Sequence, residues 1–416
     1  MTVTVILFIL YLFVIASGYW LRSINLRHLK IHGAEVPSSF EGTIDAGILA
    51  RTTAYTLEQS WVGLLESIVD NILLLAFMFG GVLGFYDRWI SSLSGSFVVS
   101  GLLFFLLLTL AQTLLNIPFS YYRTFRIENR YGFNTMTTQL WLTDLLKSTT
   151  ITMLLLSMLV AGALLLIRWS PGFWWLWVWG FFAAVTIFLI YISPYVIEPL
   201  FFKFSSVEEK GLEEEVRAMM EKAGLQVSRV MQVDASRRSR HSNAYFTGIG
   251  RVKRIVLFDT ILTQMNHREI LAILAHEVGH WKKGHILKRL ILTEAGGLLA
   301  CYLAFLLLQW GGLPGLVGLT HSSFPAQLVI LTFLGSIVAF PFTPFLSWLS
   351  RRHEWQADQF ACELSSAPDA LATALIKLSR ENLANIHPHP LYAKVYYSHP
   401  PVVERVQRLL EKVKKE

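Results

Sequence analysis

Hydrophobic positions along this chain gather into seven nearly uninterrupted runs, at about Thr4–Trp20, Gly63–Phe85, Phe97–Ser120, Leu145–Ile167, Phe173–Ile197, Leu290–Trp310 and Pro325–Leu349. A bilayer's hydrocarbon core is about 30 Å thick and a helix rises about 1.5 Å per residue, so about 20 largely apolar residues cross it. Each run therefore predicts a transmembrane helix. Between Phe201 and Arg289 the pattern changes. Ser205–Ala223 sets Glu208, Glu209, Glu213–Glu215, Arg217 and Lys222 around an apolar stripe at helical spacing, which predicts a solvated helix. Val227–Val233 and Arg254–Phe258 have the β-branched enrichment of short strands, with Asn243–Phe246 a third extended piece. In His267–Lys283 the residues Ile270, Leu271, Ile273, Leu274 and Val278 recur at helical spacing, and Asn266 with Glu269 reads as a capping box. The fold class that follows is an all-α membrane protein of about seven transmembrane helices carrying a small α+β domain. Its parts are 1–200 with five helices, 201–289 as the α+β segment, 290–349 with two more helices, and 350–416 as a helical C-terminal segment.

Composition agrees: 53% of the 416 residues are hydrophobic, mean hydropathy is +0.47, and only 16% are charged, against about 25% in an ordinary soluble domain. The first run has no Lys or Arg before it and no small-x-small cleavage site after it, while Arg22, Arg27 and Lys30 follow, so it reads as a retained anchor and not a cleaved signal peptide. With the N-terminus outside, the inner segments are 21–62, 121–147, 198–289 and 350–416. They hold all but two, Arg88 and Arg168, of the 36 Lys and Arg residues, which orients the chain because basic residues accumulate in cytoplasmic loops. The net charge of +7 and pI near 9.3 thus reflect topology and anionic lipid, and no nucleic-acid motif accompanies them. Two cysteines, Cys301 and Cys362, exclude a disulfide framework and a cysteine-rich zinc site.

The chemistry sits on the capped helix, in His276-Glu277-Val278-Gly279-His280. Residues four apart share a helix face, so both imidazoles can reach one zinc ion, while Glu277 stands where a general base is needed. Zinc lowers the pKa of a water from 15.7 to about 7, after which a carboxylate can take and return its proton. A third ligand must come from elsewhere, because Lys283 and Ile286 stand where a metzincin has Gly and His, and His285 lies off the ligand face. Glu354, in Arg351-Arg352-His353-Glu354-Trp355-Gln356-Ala357-Asp358, is the best candidate, with Asp358 one turn further on the same face. Read by spacing alone, the two carboxylates equally suit a solvated acidic face at a helix start.

These residues carry a resemblance that covers nearly the whole chain. His276–Trp281 meets His-Glu-x-Gly-His-Trp and Glu354, Ala357 and Asp358 meet Glu-x-x-Ala-Asp, so the sequence resembles the zinc-dependent CAAX prenyl proteases. The resemblance implies one Zn2+ per chain held by His276, His280 and Glu354, Glu277 as catalytic base, and Asp358 as a catalytic carboxylate that supports a ligand and is sometimes assigned as proton donor. Ser242-Asn243-Ala244-Tyr245-Phe246 looks like the family's substrate-pairing edge strand, which assigns Asn243, Ala244 and Tyr245 to substrate binding by β-augmentation. Ser398-His399-Pro400-Pro401 and Arg405 match positions that the family sets beside the metal, and His399 can donate to a developing oxyanion. Two further family-like stretches, Glu128–Asn134 and Pro194–Phe201, are assigned to packing.

The resemblance also implies seven helices enclosing a chamber, an active site on its cytosolic side, and a peptide or protein substrate that is lipidated, with membrane lipid as the other partner. The membrane is bacterial cytoplasmic or endoplasmic reticulum, depending on source. Two other readings have different consequences: a quality-control membrane zinc protease without prenyl dependence, and a non-catalytic membrane scaffold keeping a structural metal site. An intact Glu277 argues against the scaffold, since a structural site needs no base.

Overall fold

The structure, a computed structural model, describes residues 2–209, 211–247 and 252–414. Its helices are α1 (Thr2–His32), α2 (Ala46–Phe79), α3 (Val82–Leu93), α4 (Phe97–Tyr122), α5 (Thr138–Trp169), α6 (Trp174–Val196), α7 (Glu198–Phe201), α8 (Leu212–Lys222), α9 (Asp259–Gln264), α10 (His267–Lys282), α11 (His285–Trp310), α12 (Leu313–Leu316), α13 (Phe324–Ala339), α14 (Thr343–Ser365), α15 (Pro368–Glu381), α16 (Pro390–Tyr396) and α17 (Val402–Val413). Among the described residues seven helical stretches are long and apolar enough to cross a membrane, and no more than 11% of any apolar window is buried within the protein. Apolar surface on that scale needs lipid around it.

Helix ends depart from the hydropathy runs where backbone chemistry intervenes. The second stretch begins earlier, at an Asp45 cap whose side chain accepts from Ile48 N, and ends at Phe79 because Gly81 takes a left-handed φ of 80°; residues 82–85 belong to the separate amphipathic α3. The seventh run is not one helix. Pro341 and Pro344 lack the N–H groups a continuous ladder needs, so α13 gives way to a 3-10 turn at Phe340–Phe342, and α14 then runs on without a break well past Leu349. Glu354 and Asp358 are therefore deep in the helix that leaves the membrane, not at a helix start.

A four-stranded sheet of order β1-β2-β4-β3 lies beside α8–α10, formed by β1 (Phe204–Ser206), β2 (Gln226–Val233), β3 (Ala244–Thr247) and β4 (Val252–Phe258). β2 and β4 are parallel and the outer pairs antiparallel. β1 corrects the expected helix over 205–223: Gly211, at φ 86°, starts α8 only at Leu212, and Ser205 and Ser206 pair with Gln232 and Met231 instead. One apolar core joins α8, β4, α10, α15 and α17 through Val216, Ile255, Leu274, Leu375 and Val406, and Phe40 and Leu49 from the segment after α1 enter it. This core fixes α10 against α14 and α15. Among the described residues no disulfide joins Cys301 and Cys362.

Candidate metal centre

Helix α10 is rigid at its start and tight at its end. Asn266 Oδ1 accepts from Glu269 N and Glu269 Oε2 accepts from Asn266 N, both at 3.0 Å, and Lys377 Nζ donates to the same carboxylate at 2.8 Å. About three turns on, Gly279 meets α14 so closely that a Cβ there would stand 2.9 Å from Ala357 Cα and 3.0 Å from Ala357 O. Only a glycine permits that approach, and it brings Glu354, one turn from Ala357, over the His276 and His280 face.

The three donor groups face one another. His276 Nε2 and His280 Nε2 are 3.2 Å apart, His280 Nε2 is 3.2 Å from Glu354 Oε1, and His276 Nε2 is 3.5 Å from Glu354 Oε2. With Zn–N and Zn–O bonds of about 2.0–2.1 Å, the edges of a tetrahedron around the ion are ~3.3–3.4 Å; each histidine meets a different Glu354 oxygen at that spacing, and one ligand atom from each residue lies within 4.8 Å of the others, so the group can close on one metal. Tautomers fit too. His276 Nδ1 lies 2.8 Å from Asp358 Oδ1 and 3.4 Å from Arg405 Nη2; a proton shared with the carboxylate there leaves Nε2 as a lone pair. His285 Nε2 donates to Gln356 Oε1 at 2.8 Å, so its Nδ1 accepts from His280 Nδ1 at 3.1 Å, which turns the His280 Nε2 lone pair inward. Two lone pairs facing each other beside a buried carboxylate are stable only around a cation or shared proton. Glu354 Oε2 is buried and receives no hydrogen bond of acceptable geometry among the described residues, although His399 Nδ1 is 2.8 Å away.

Arg405 braces the cluster from α17. It donates to both oxygens of Asp358, at 2.8 and 2.6 Å, and its Nη1 lies 3.5 Å from Glu354 Oε2. Burial opposes its charge, but the Asp358 and Glu354 carboxylates outweigh burial and hold the guanidinium protonated. Burial likewise opposes charge on His276, yet Asp358 and Glu354 push the imidazole up to about 9. Metal and proton therefore compete for one nitrogen. Glu277 is half-buried on α10 between the two histidines and makes no hydrogen bond among the described residues, leaving its carboxylate available. His399 is 64% exposed on its side chain, with one ring nitrogen toward Glu354 and the rest of the ring toward solvent.

β3 packs against α10 and is a sheet edge among the described residues. Asn243 O accepts from Phe258 N, and antiparallel alternation then directs the backbone groups of Ala244 and Phe246 outward. Asn243 Oδ1 already accepts from Ala244 N, the Ala244 side chain is buried in the core, and Tyr245 donates its hydroxyl to Glu198 Oε2 at 2.7 Å. Burial and that carboxylate push the Tyr245 phenol far up. The strand can therefore offer a peptide its backbone, chiefly the Ala244 carbonyl and Phe246, and not the side chains of Ala244 and Tyr245.

His276, His280, Glu354 and Asp358 come together with His399 and Arg405, and Glu277 stands beside them on α10, while Asn243, Ala244 and Tyr245 stand on the neighbouring sheet. Sequence reasoning missed Gly279, His285 and Gln356. His285 does lie off the ligand face, as expected, but it orients His280; a histidine five residues after a ligand, across a helix break at Gly284, was the available signal. Glu128 and Glu198, assigned to packing, hold His241 and Tyr245 at the two ends of the β3 segment.

A seven-span helical bundle that delivers a His-Glu-x-x-His helix and a distant glutamate to one point defines an integral-membrane metallopeptidase. Comparison with known proteins narrows the class. Residues 25–203 match the family described as CAAX prenyl protease N-terminal, five membrane helices, and residues 206–413 match peptidase family M48. The chain is 32% identical over 430 residues to the CAAX prenyl protease 1 homolog of Mus musculus, covering 90% of this chain and 88% of that one. It is 34% identical over 337 residues to CAAX prenyl protease 1 of Saccharomyces cerevisiae, covering 76% and 73%. The crystal structure of S. mikatae Ste24p superposes with a TM-score of 0.87 at 30% identity, covering 97% of this chain and 98% of that one. The chain belongs to the CAAX prenyl protease family of M48 metallopeptidases.

Proposed function

We propose that this protein hydrolyses peptide bonds near the C-termini of prenylated, CAAX-type proteins, using zinc held by His276, His280 and Glu354 on the cytosolic side of the membrane. The donor triangle, with its inward-facing lone pairs, carries the metal part of this reading. When bound there, zinc polarises the scissile carbonyl and acidifies the attacking water.

The chain's own groups do the rest. Glu277 takes the proton of the attacking water and delivers it to the leaving amine. Asp358, clamped by Arg405, keeps His276 Nδ1 protonated and its Nε2 aimed at the site. His399 donates to the substrate oxygen as it gains charge, from a ring whose Nδ1 lies 2.8 Å from Glu354 Oε2. The open edge of β3 aligns an extended peptide through the Ala244 carbonyl and Phe246 backbone. The lipid chain is housed among the seven helices, and the distribution of Lys and Arg favours a cytosolic site, since α8–α10 and α14–α17 lie in the basic inner segments.

The test is cleavage of paired peptides, one ending in a farnesylated Cys-aliphatic-aliphatic-x sequence and one unprenylated, by the purified protein and by a Glu277→Gln control. Cleavage that needs Glu277 and favours the farnesylated peptide is expected. Equal cleavage of both would replace prenyl selection with general membrane-protein proteolysis, and full activity of Glu277→Gln would sink the mechanism.

A further inference from the structure

Beside the metal cluster, with Asp358 and Arg405 between them, α14 and α17 leave a cleft of about 420 Å³. Its floor is the Asp358–Arg405 pair and its walls carry Arg352 and Trp355 from α14 and Arg408 and Lys412 from α17. Arg352, Arg408 and Lys412 have no carboxylate within 4 Å among the described residues, and Asp358 is already neutralised by Arg405. Glu411 also lines the cleft, so its walls carry three cations against one free carboxylate. The Arg408 guanidinium carbon stands over the Trp355 ring, 4.2 Å from its centroid, which restrains the side chain.

The cleft's position identifies what fills it. At about 100° per residue, Phe345, Arg352 and Gln359 lie within ~40° of one another around α14, so the cleft continues the stripe of the helix that carries Phe345. Above the cleft the same helix exposes Phe345, Leu346 and Trp348, and it is continuous with the seventh candidate span. Arg352 stands one turn below Trp348, with its guanidinium 5.9 Å from that ring. An apolar outward face, an aromatic collar and then clustered unpaired cations is the order a helix shows where it passes from acyl chains to headgroups.

We infer that this cleft binds the phosphate of an anionic membrane lipid, with Arg352, Arg408 and Lys412 as its cationic ligands and the acyl chains lying along Phe345 and Trp348. The inference needs the membrane topology but not the peptidase reading, so the two fail separately.

The experiment is native mass spectrometry of the full-length, detergent-purified protein titrated with dioleoyl phosphatidic acid, dioleoyl phosphatidylcholine or inorganic phosphate. Phosphatidic acid should be retained over phosphatidylcholine, and a millimolar excess of inorganic phosphate should not displace it. The variant R352Q/R408Q/K412Q should lose on the order of 100-fold in affinity, about fivefold per cation. The single variant R408Q should lose about fivefold. A charge-matched variant elsewhere on the cytosolic segment, K222Q/K282Q/K283Q, should bind like wild type. Equal loss in that control, equal retention of phosphatidylcholine, or undiminished binding by the triple variant at wild-type melting temperature would overturn the lipid site. Displacement by inorganic phosphate at equal concentration would reassign it to a soluble anion.

Discussion

Replacing Gly279 with alanine tests whether the α10–α14 contact sets the metal geometry. By helix propensity alone the change should stabilise α10 by about 1 kcal/mol. In place, the new Cβ would meet Ala357 Cα at 2.9 Å, Ala357 O at 3.0 Å and Ala357 Cβ at 3.3 Å, whereas carbon atoms rest at about 3.5–4.0 Å. Two of these partners are backbone atoms, so no rotamer change relieves the clash and α14 must retreat by roughly 0.6–1 Å. Overpacking of this kind costs about 1–3 kcal/mol, so net stability falls by ~0–2 kcal/mol. The metal site suffers more. Glu354 is one turn from Ala357 and moves with it, while ligand distances tolerate only about 0.2 Å. Gly279→Ala should therefore weaken metal binding by on the order of 10–100-fold while the protein remains folded. Metal content after dialysis against graded chelator, read beside the melting temperature, measures both effects. Adding Ala357→Gly should restore little, because it removes only the longest of the three contacts. A chelator titration of Gly279→Ala that overlays wild type would refute the argument.

Further outcomes follow from the same geometry. Glu354→Ala should lose most of its metal, whereas His399→Ala should keep it and lose turnover; metal analysis and peptide cleavage on the same samples separate the two, and metal loss in both would remove His399 from the role of substrate-oxygen donor. His285→Ala deprives His280 Nδ1 of its acceptor and should weaken metal binding about 10–100-fold without altering the ligand set, which the chelator titration also reads. Burial disfavours charge on His241, but Glu128 and Asn382 outweigh it and raise its pKa above the ordinary value. That pair's contribution is complete below about pH 6.5 and is lost as pH rises through the raised value. Against burial, His241 and Tyr55 hold the Glu128 carboxyl below its ordinary value, and the pair is lost again once it protonates; melting curves of wild type and Glu128→Gln should therefore differ most between about pH 5 and 6.5 and converge as pH rises, and a gap that widens above that range would show that the pairing is not the cause.

Much of this protein is legible in local pattern because its largest elements answer local constraints. A span must be apolar along its whole length, so seven runs reveal seven crossings, and a capping box followed by His-x-x-x-His lies within one helix whose 3.6-residue period is independent of the rest of the fold. What escapes local reading depends on backbone conformation or on contacts between distant segments. The β1 strand is lost to a helical pattern unless the left-handed Gly211 is known to delay α8. The seventh run conceals a break at Pro341 and an extension that carries Glu354 out of the membrane on an unbroken helix. By spacing, Glu354 and Asp358 fit a solvated face as well as a ligand pair; only the approach of α14 to Gly279 buries them over two imidazoles, and only α17 supplies the Arg405 charge that makes such burial tolerable. The sequence by itself determined the spans and the two histidines. Tertiary packing decided that Glu354 joins them, how both imidazoles are turned and where the cation-lined cleft lies, because each requires groups far apart in the chain to meet.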